Sequence, residues 1–352
     1  MKKFESLIWK LFGLLTVLGI TSMFISCTGP EGPAGPSAEI VCAVCHGADA
    51  DDVNLKFNQY HLSRHNTGVI YEEEAGRLAC GGCHTGDGFA EAATLGQNDP
   101  VSKASSKINC KACHTIHKNF DTTDFARRIT AGFALRHTGA MIDQKDGNLC
   151  SKCHQARPFT RTVPDTISRV SGTTYSRFGP HYGVVANVVT MNGPYQITGD
   201  DTYPTINQHA SLPKGCVSCH MGSDPSNPAA GGHTFLMTPP NLAKIVECRN
   251  CHDSTTISKA AIQNDIGPKL VIYRQALIDK GWLDTTAAVS AEGYNVLGEY
   301  FRADQAKVAF PNPTDVEVVL NYLYVAKDRS KGVHNPAYIK ALVNNGLQYL
   351  GK

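Results

Sequence analysis

The sequence predicts a mainly α-helical fold with extensive coil and little β-structure. One observation is that the pentapeptide Cys-x-x-Cys-His occurs six times between residues 42 and 252. A second is that glycine and proline are scattered through this region, which shows no sustained helical or strand period. A third is that apolar residues recur at helical spacing in residues 256–352, which contain no cysteine and one histidine. We therefore expect short helices around the pentapeptides and a C-terminal helical cap packed on them.

The pentapeptide is the attachment signature of a c-type haem. Its two thiols form thioethers with the haem vinyl groups, and its histidine becomes an axial iron ligand. Zinc would need two Cys-x-x-Cys pairs per ion, and disulfides would leave six histidines unexplained. We therefore predict six haem c groups that form the core of the domain. The attachment cysteines are Cys42, Cys45, Cys80, Cys83, Cys110, Cys113, Cys150, Cys153, Cys216, Cys219, Cys248 and Cys251. The proximal ligands are His46, His84, His114, His154, His220 and His252.

Cys27 is the one cysteine outside the pentapeptides, and the N-terminus offers a reason for it. A short basic start precedes an apolar run from Leu11 to Ile25, which is typical of a secretory signal peptide. The run ends in Phe24-Ile25-Ser26-Cys27, which resembles a bacterial lipobox. That resemblance implies that residues 1–26 are removed and that Cys27 carries lipid. The alternative is an uncleaved anchor in which Cys27 has no role.

The segment after Cys27 contains three Gly-Pro-x triplets, and we interpret residues 27–39 as an extended linker. Residue 28 is Thr, which favours the outer membrane without indicating its periplasmic or cell-surface face. Removal of residues 1–26 takes away three lysines and one glutamate, so the mature chain has a net charge of zero. Nucleic acid is therefore not an expected partner, because no basic surplus is left to neutralise phosphates.

The remaining chain divides into a predicted hexahaem domain, residues 40–255, and a C-terminal helical region, residues 256–352. The helices expected in the second part cover residues 271–283, 287–301, 313–327 and 336–350, and Pro313 and Asn335-Pro336 fit helix N-termini. Within the first part, residues 155–215 form the longest gap between pentapeptides. Its β-branched run Val184–Val189 suggests a loop with a small hairpin, which would serve either docking or packing.

Eight histidines lie outside the pentapeptides, which is more than six irons need as second ligands. Some repeat a position: His65 and His233 precede the next attachment cysteine by fifteen residues and His137 by thirteen. Such a histidine can also serve a neighbouring haem. The candidate distal ligands are His65, His117, His137, His181, His209 and His233. His334 and His61 rank below them.

The six pentapeptides with their further histidines are similar to those of bacterial multihaem c-type cytochromes. A second likeness is Gly332-Val333-His334-Asn335-Pro336, which resembles the C-terminal element of many of these cytochromes. By this resemblance His334 reaches back to a haem and would displace one of the six first-ranked candidates. The motifs specify haem chemistry but not a subfamily.

Histidines on both faces of a haem leave no open position for a substrate, so we expect an electron carrier rather than an enzyme. The expected protein is an exported outer-membrane lipoprotein, with redox proteins or periplasmic or extracellular electron acceptors as partners. Two alternatives stay open. One is a multihaem reductase of a small nitrogen or sulfur oxyanion with one open haem. The other is a haem-wire filament in which one subunit donates a histidine to the next.

Overall fold

The computed structural model describes residues 45–47, 51–74, 76–159, 179–222, 230–237, 246–249, 251–252, 259–283 and 310–352. It separates two compact units, Met1–Ala50 and Asp51–Lys352. In the first unit, Cys45 and His46 have helical conformation. In the described part of the second unit, helix and coil dominate and a single two-stranded sheet is present. The predicted fold class, mainly α with extensive coil and little β, is confirmed.

Short helices alternate with coil through the region of the pentapeptides. Five of these helices contain attachment cysteines, namely those over Leu78–His84, Cys110–Cys113, Asn148–Cys153, Cys216–His220 and Val246–Arg249. The α-helices of this region are α1 (Asp51–His61), α2 (Arg64–Thr67), α3 (Ile70–Glu74), α4 (Leu78–His84), α5 (Gly86–Thr94), α6 (Cys110–Cys113), α7 (Asn148–Cys153), α8 (Val185–Val189), α9 (Cys216–His220) and α10 (Val246–Arg249). Single 3₁₀ turns cover Thr122–Phe125, Lys145–Gly147, Gln208–Ser211 and Gly232–Thr234.

The sheet is a minimal antiparallel hairpin of β1 (Phe133–Ala134) and β2 (Met141–Ile142), with Phe133 opposite Ile142. The predicted hairpin at Val184–Val189 is wrong, because these residues form helix α8. Val184 and Val188 are fully buried in the core that the C-terminal helices also build. Burial against those helices outweighs the strand preference of β-branched residues, which is itself largely a preference for a packing surface.

Three long helices form the C-terminal part, namely α11 (Ala260–Asp279), α12 (Pro313–Asp328) and α13 (Pro336–Tyr349). Helix α12 starts with a capping box between Asn312 and Asp315 and has Pro313 in its first turn. At the start of α13, the Asn335 side chain accepts a hydrogen bond from the Tyr338 N–H. Both starts were predicted from the sequence. Helix α11 begins eleven residues before its predicted start at Val271 and contains Pro268. The helix predicted over residues 287–301 lies outside the described residues.

A single hydrophobic core joins these helices to the preceding segment. It includes the fully buried Tyr273, Tyr322 and Leu342 together with Val184 and Ile197 from outside the helices. The Tyr273 hydroxyl donates to the Val318 carbonyl at 3.0 Å, which ties α11 to α12 inside this core. The C-terminal helices therefore complete a core that begins before residue 200.

Two buried asparagines attach the coil after α8 to the helices. Asn321 of α12 pairs with both backbone groups of Tyr195, at 2.7 Å each. Asn345 of α13 accepts from the Asp201 N–H at 2.9 Å and donates to the Ile197 carbonyl at 3.2 Å. The side-chain amides satisfy backbone groups that would otherwise be buried without partners. The coil is thereby held on α12 and α13 by side-chain hydrogen bonds.

The predicted signal peptide, Cys27 and the linker lie outside the described residues, as does Cys42. Within the described residues, no helix is both long and apolar enough to cross a membrane.

Candidate haem sites

In the four pentapeptides that are described throughout, both attachment cysteines lie in a short helix. In α9, Cys216 and Cys219 stand three residues apart, so their thiols lie on the same helix face, and His220 follows directly. The described cysteines are all free of disulfide bonds. We number the candidate haem sites by their pentapeptides along the chain, so that site 1 ends at His46 and site 6 at His252. The intermediate sites 2, 3, 4 and 5 end at His84, His114, His154 and His220.

Five proximal histidines face a second imidazole at nearly constant distance. The ring centroids are 6.1 Å apart for His84 and His181, 6.2 Å for His114 and His233, 6.2 Å for His154 and His65, 6.3 Å for His220 and His334, and 6.3 Å for His252 and His209. Each pair thus combines one pentapeptide histidine with one of the eight others.

This spacing fits an iron ion between the two rings of each pair. A metal–imidazole bond is about 2.0–2.1 Å long and a ring nitrogen lies about 1.1 Å from its ring centroid, so two imidazoles on opposite sides of one metal have centroids about 6.3 Å apart. Direct stacking would bring aromatic rings closer, as for His137 on Phe159 at 3.7 Å. Two ligands on opposite sides leave the positions between them to a planar macrocycle. The residues present therefore fit a haem at each pair.

The pairing joins residues that are far apart in the sequence. His65 faces His154 of site 4 rather than His84 of site 2, which follows it more closely in the chain. His233 likewise faces His114, and His334 faces His220. The pairs therefore bring together segments that sequence order alone would not place side by side.

Three further histidines have other neighbours in the structure. His117 stacks on Phe120 with centroids 5.7 Å apart, and His137 is buried against Phe159. His61 is exposed, and its Nδ1 lies 3.2 Å from the Asn66 amide nitrogen. The structure thus brings four of the six first-ranked distal candidates opposite a proximal histidine, and His334 as well.

Hydrogen bonds fix the orientation of several of these rings. The Nδ1 atoms of His114, His209 and His220 lie 2.6, 2.9 and 3.1 Å from the backbone carbonyls of Phe125, Val333 and Phe235, respectively. Since a carbonyl oxygen only accepts, each Nδ1 is the protonated nitrogen. The lone pair of each ring is then on Nε2, the nitrogen that is free to bind a metal.

Burial keeps most of the paired imidazoles neutral, as metal ligation requires. It lowers the pKa of His154 to about 4, and the neighbouring imidazole of His65 adds to this effect. Burial also lowers the pKa of His181 to about 4, with Arg157 as the next contributor. The pKa of His233 falls to about 4 for the same reason, with His114 as its neighbour.

His334 differs from these histidines because its Nδ1 lies 2.7 Å from a carboxylate oxygen, Oδ1 of Asp328. Burial alone would lower the pKa of His334, but the charge of Asp328 and the hydrogen bond outweigh it, so that the pKa is raised. The Asp328 side chain is fully buried and its other oxygen accepts from the Ser330 hydroxyl.

The attachment cysteines of sites 2, 4 and 5 lie against each other. The Cys83 side chain is within hydrogen-bonding reach of Cys153, and Cys150 of Cys216; in a haem-loaded chain these thiols are thioether sulfurs. Gly147 makes the second contact possible, since a Cβ there would lie 2.8 Å from the Cys216 sulfur.

Phe235 connects three of the sites. Its ring centroid is 5.0 Å from His65 and 6.0 Å from His233, while its carbonyl accepts from His220. Sequence analysis missed the roles of Phe235, Gly147 and Asp328. Asp328 alone carried a partial signal, because a carboxylate often orients a histidine ligand, although its position in the sequence does not indicate which histidine it contacts.

No protein-family model matches the chain, and no curated protein matches it. Among solved structures, the chain is similar to the crystal structure of the outer cell wall cytochrome OcwA, with a TM-score of 0.49 and 18% identity. The match covers 84% of this chain and 50% of that one, so this chain spans about half the length of OcwA. At this level of similarity neither fold nor function transfers from one chain to the other.

Proposed function

We propose that this chain is a multihaem c-type cytochrome that transfers electrons through six covalently attached haems. The observation that carries the proposal is the set of five imidazole pairs spaced at 6.1–6.3 Å, each containing the histidine of a Cys-x-x-Cys-His motif. When bound, haem iron alternates between ferric and ferrous states and so supplies one-electron chemistry. The residues of the chain attach the group, ligate it on both faces and exclude water.

Ligation on both faces favours electron transfer over catalysis. An iron held by His84 and His181, for example, has no position left for a substrate. The contacts of Cys83 with Cys153 and of Cys150 with Cys216 support transfer among several sites, because they place the attachment points of sites 2, 4 and 5 side by side. Isolated sites would suit a sensor better than a conduit.

Site 1 and the anchor complete the proposal. We assign a sixth haem to Cys42, Cys45 and His46. We further propose that Cys27 is lipidated and holds the protein at the outer membrane, where redox proteins or external acceptors exchange electrons with it. Incorporation of labelled fatty acid into the wild-type chain, but not into Cys27→Ala, would support the anchor.

Haem stoichiometry and spin state test the main proposal. The full chain, produced in a bacterial host that exports and matures c-type cytochromes, should contain six haems by pyridine haemochrome assay and by intact mass. Its ferric electron paramagnetic resonance spectrum should be low-spin, and the reduced protein should not bind carbon monoxide. The double variant Cys110→Ala, Cys113→Ala should lose one haem.

Other outcomes would contradict the proposal in different ways. Zinc in place of iron would reject haem attachment altogether. A high-spin signal together with carbon monoxide binding in the wild type would instead indicate an open iron, as in the reductases.

A further inference from the structure

We propose that Asp328 gives site 5 the most negative reduction potential among the sites whose ligand pairs the structure describes. The inference rests on the proposed function, because it requires an iron between His220 and His334. Asp328 contacts neither iron nor haem in this proposal. It is a positioning and tuning residue that acts through the His334 imidazole.

The hydrogen bond from His334 to Asp328 is of a different kind from those at the other sites. In the described part of the chain, the rings of His114, His209 and His220 donate to neutral backbone carbonyls, whereas His334 donates to a carboxylate at 2.7 Å. A carboxylate acceptor raises the basicity of the ligating imidazole more than a carbonyl does. A more basic ligand donates more electron density and so stabilises ferric over ferrous iron.

Burial makes the negative charge of Asp328 effective. Its side chain is 0% exposed, so water does not screen the charge from the site. Glu74, the acidic residue near His84 of site 2, is in a different situation, because its carboxylate is 3.1 Å from Arg77 and 17% exposed. The field of Glu74 is therefore partly cancelled before it reaches an iron.

Helix stability does not explain an aspartate at this position. Asp328 is the last residue of α12, where the partial charge of the helix dipole is negative and an acidic side chain is unfavourable. The chain turns directly afterwards through Arg329, whose φ of 63° is left-handed, and this turn brings Ser330 back towards the carboxylate. The Ser330 Oγ in turn accepts from the His334 N–H at 3.3 Å. The local structure thus holds Asp328 against His334 at a cost to the helix.

Ser330 allows the inference to be tested in both directions. Its hydroxyl donates to Oδ2 of Asp328 and so withdraws part of the negative charge from the His334 side. Asp328→Asn removes the charge but preserves the shape, and should move the potential of site 5 upward. Ser330→Ala leaves the charge with one donor fewer, and should move the same potential downward.

The experiment is a spectroelectrochemical titration of the full holoprotein, followed by electron paramagnetic resonance. His334→Ala first identifies site 5 as the low-spin signal that is lost. We expect this signal to belong to the most negative component of the wild-type titration, to shift upward in Asp328→Asn and to shift downward in Ser330→Ala. Asp328→Glu should restore most of the wild-type potential. Glu74→Gln is the matched control and should leave this component in place.

Several results would overturn the inference. One is a redox titration of Asp328→Asn that superimposes on that of the wild type. Another is a wild-type titration in which site 5 does not have the most negative potential of the five sites with described ligand pairs. If Asp328→Asn makes site 5 high-spin, its potential no longer reports on the charge alone. In that case the Ser330→Ala variant is the test, and an unchanged potential of site 5 in Ser330→Ala refutes the inference. A wild-type protein without low-spin haem would contradict the proposed function instead.

Discussion

The His334 ring is held at one of its two nitrogens and faces a second imidazole. Nδ1 donates to Asp328, and the ring faces His220 with 6.3 Å between centroids. His334 is only partly buried, at 23% side-chain exposure, yet its hydrogen bond to Asp328 fixes the orientation of the ring. A histidine held in this way is preorganised as a ligand, because little conformational freedom remains to be lost on binding iron.

Replacing this one residue should open one iron. We expect His334→Ala to keep six covalent haems, since the attachment cysteines are unchanged, but to gain one high-spin signal and to bind one equivalent of carbon monoxide after reduction. His61→Ala is the control, because His61 is exposed and lies against Phe57 and Tyr60. Fully low-spin spectra of His334→Ala would show that His334 does not ligate iron.

Gly147 is a second residue on which site 5 depends, for reasons of space. Its φ of −76° is open to any residue, but an added Cβ would lie 2.8 Å from both the backbone nitrogen and the sulfur of Cys216. We expect Gly147→Ala to displace Cys216 and to produce a fraction of protein with five haems, visible by intact mass. Gly76→Ala should retain all six, since nothing lies within 4 Å of its Cβ position. Attachment of all six haems in Gly147→Ala would show that the backbone around residue 147 can shift to accommodate the added Cβ.

At the scale of elements, the features that could be predicted from the sequence are those that neighbouring residues determine. The starts of α12 and α13 follow from Asn-Pro pairs, which cap a helix and preset its first residue. The hairpin expected at Val184–Val189 failed because packing against distant helices decides its conformation. The partner of each imidazole could not be predicted either, because His65 lies opposite His154 only once the chain is folded. No local pattern contains that information.

Asn321 provides a test of how helix α12 is joined to the coil before it. Its side chain satisfies both the N–H and the carbonyl of Tyr195 in a fully buried position. Asn321→Ala leaves these two groups without partners, which should lower the free energy of unfolding by about 2 kcal/mol or more. Chemical denaturation followed by circular dichroism measures the change. Asn344→Ala, which removes a hydrogen bond to the Asp201 carboxylate in a half-buried position, should lower the free energy of unfolding by less. An equal decrease in the two variants would contradict the role of Asn321 in joining α12 to the coil.

At the scale of the whole second unit, the C-terminal helices have two tasks. They complete the core around Val184 and Ile197, and their connection supplies Val333 and His334 to the candidate sites. The Val333 carbonyl orients His209 of site 6, and the next residue is the ligand opposite His220 of site 5. The stability of this unit and the ligation of sites 5 and 6 therefore both depend on the C-terminal part of the chain.

A truncated chain should show the effect of losing the whole C-terminal part, in contrast to the loss of the His334 ligand alone. A chain that ends at residue 255 loses the packing partners of Val184 and Ile197, the His334 ligand and the carbonyl that orients His209. We expect it to be degraded or, where it accumulates, to have both site 5 and site 6 open or heterogeneous. Full-length His334→Ala should affect site 5 alone. The comparison requires haem content, spin state and yield of both proteins. A truncated chain with the same low-spin spectrum and yield as wild type would show that the haem region folds and ligates its irons without the C-terminal helices.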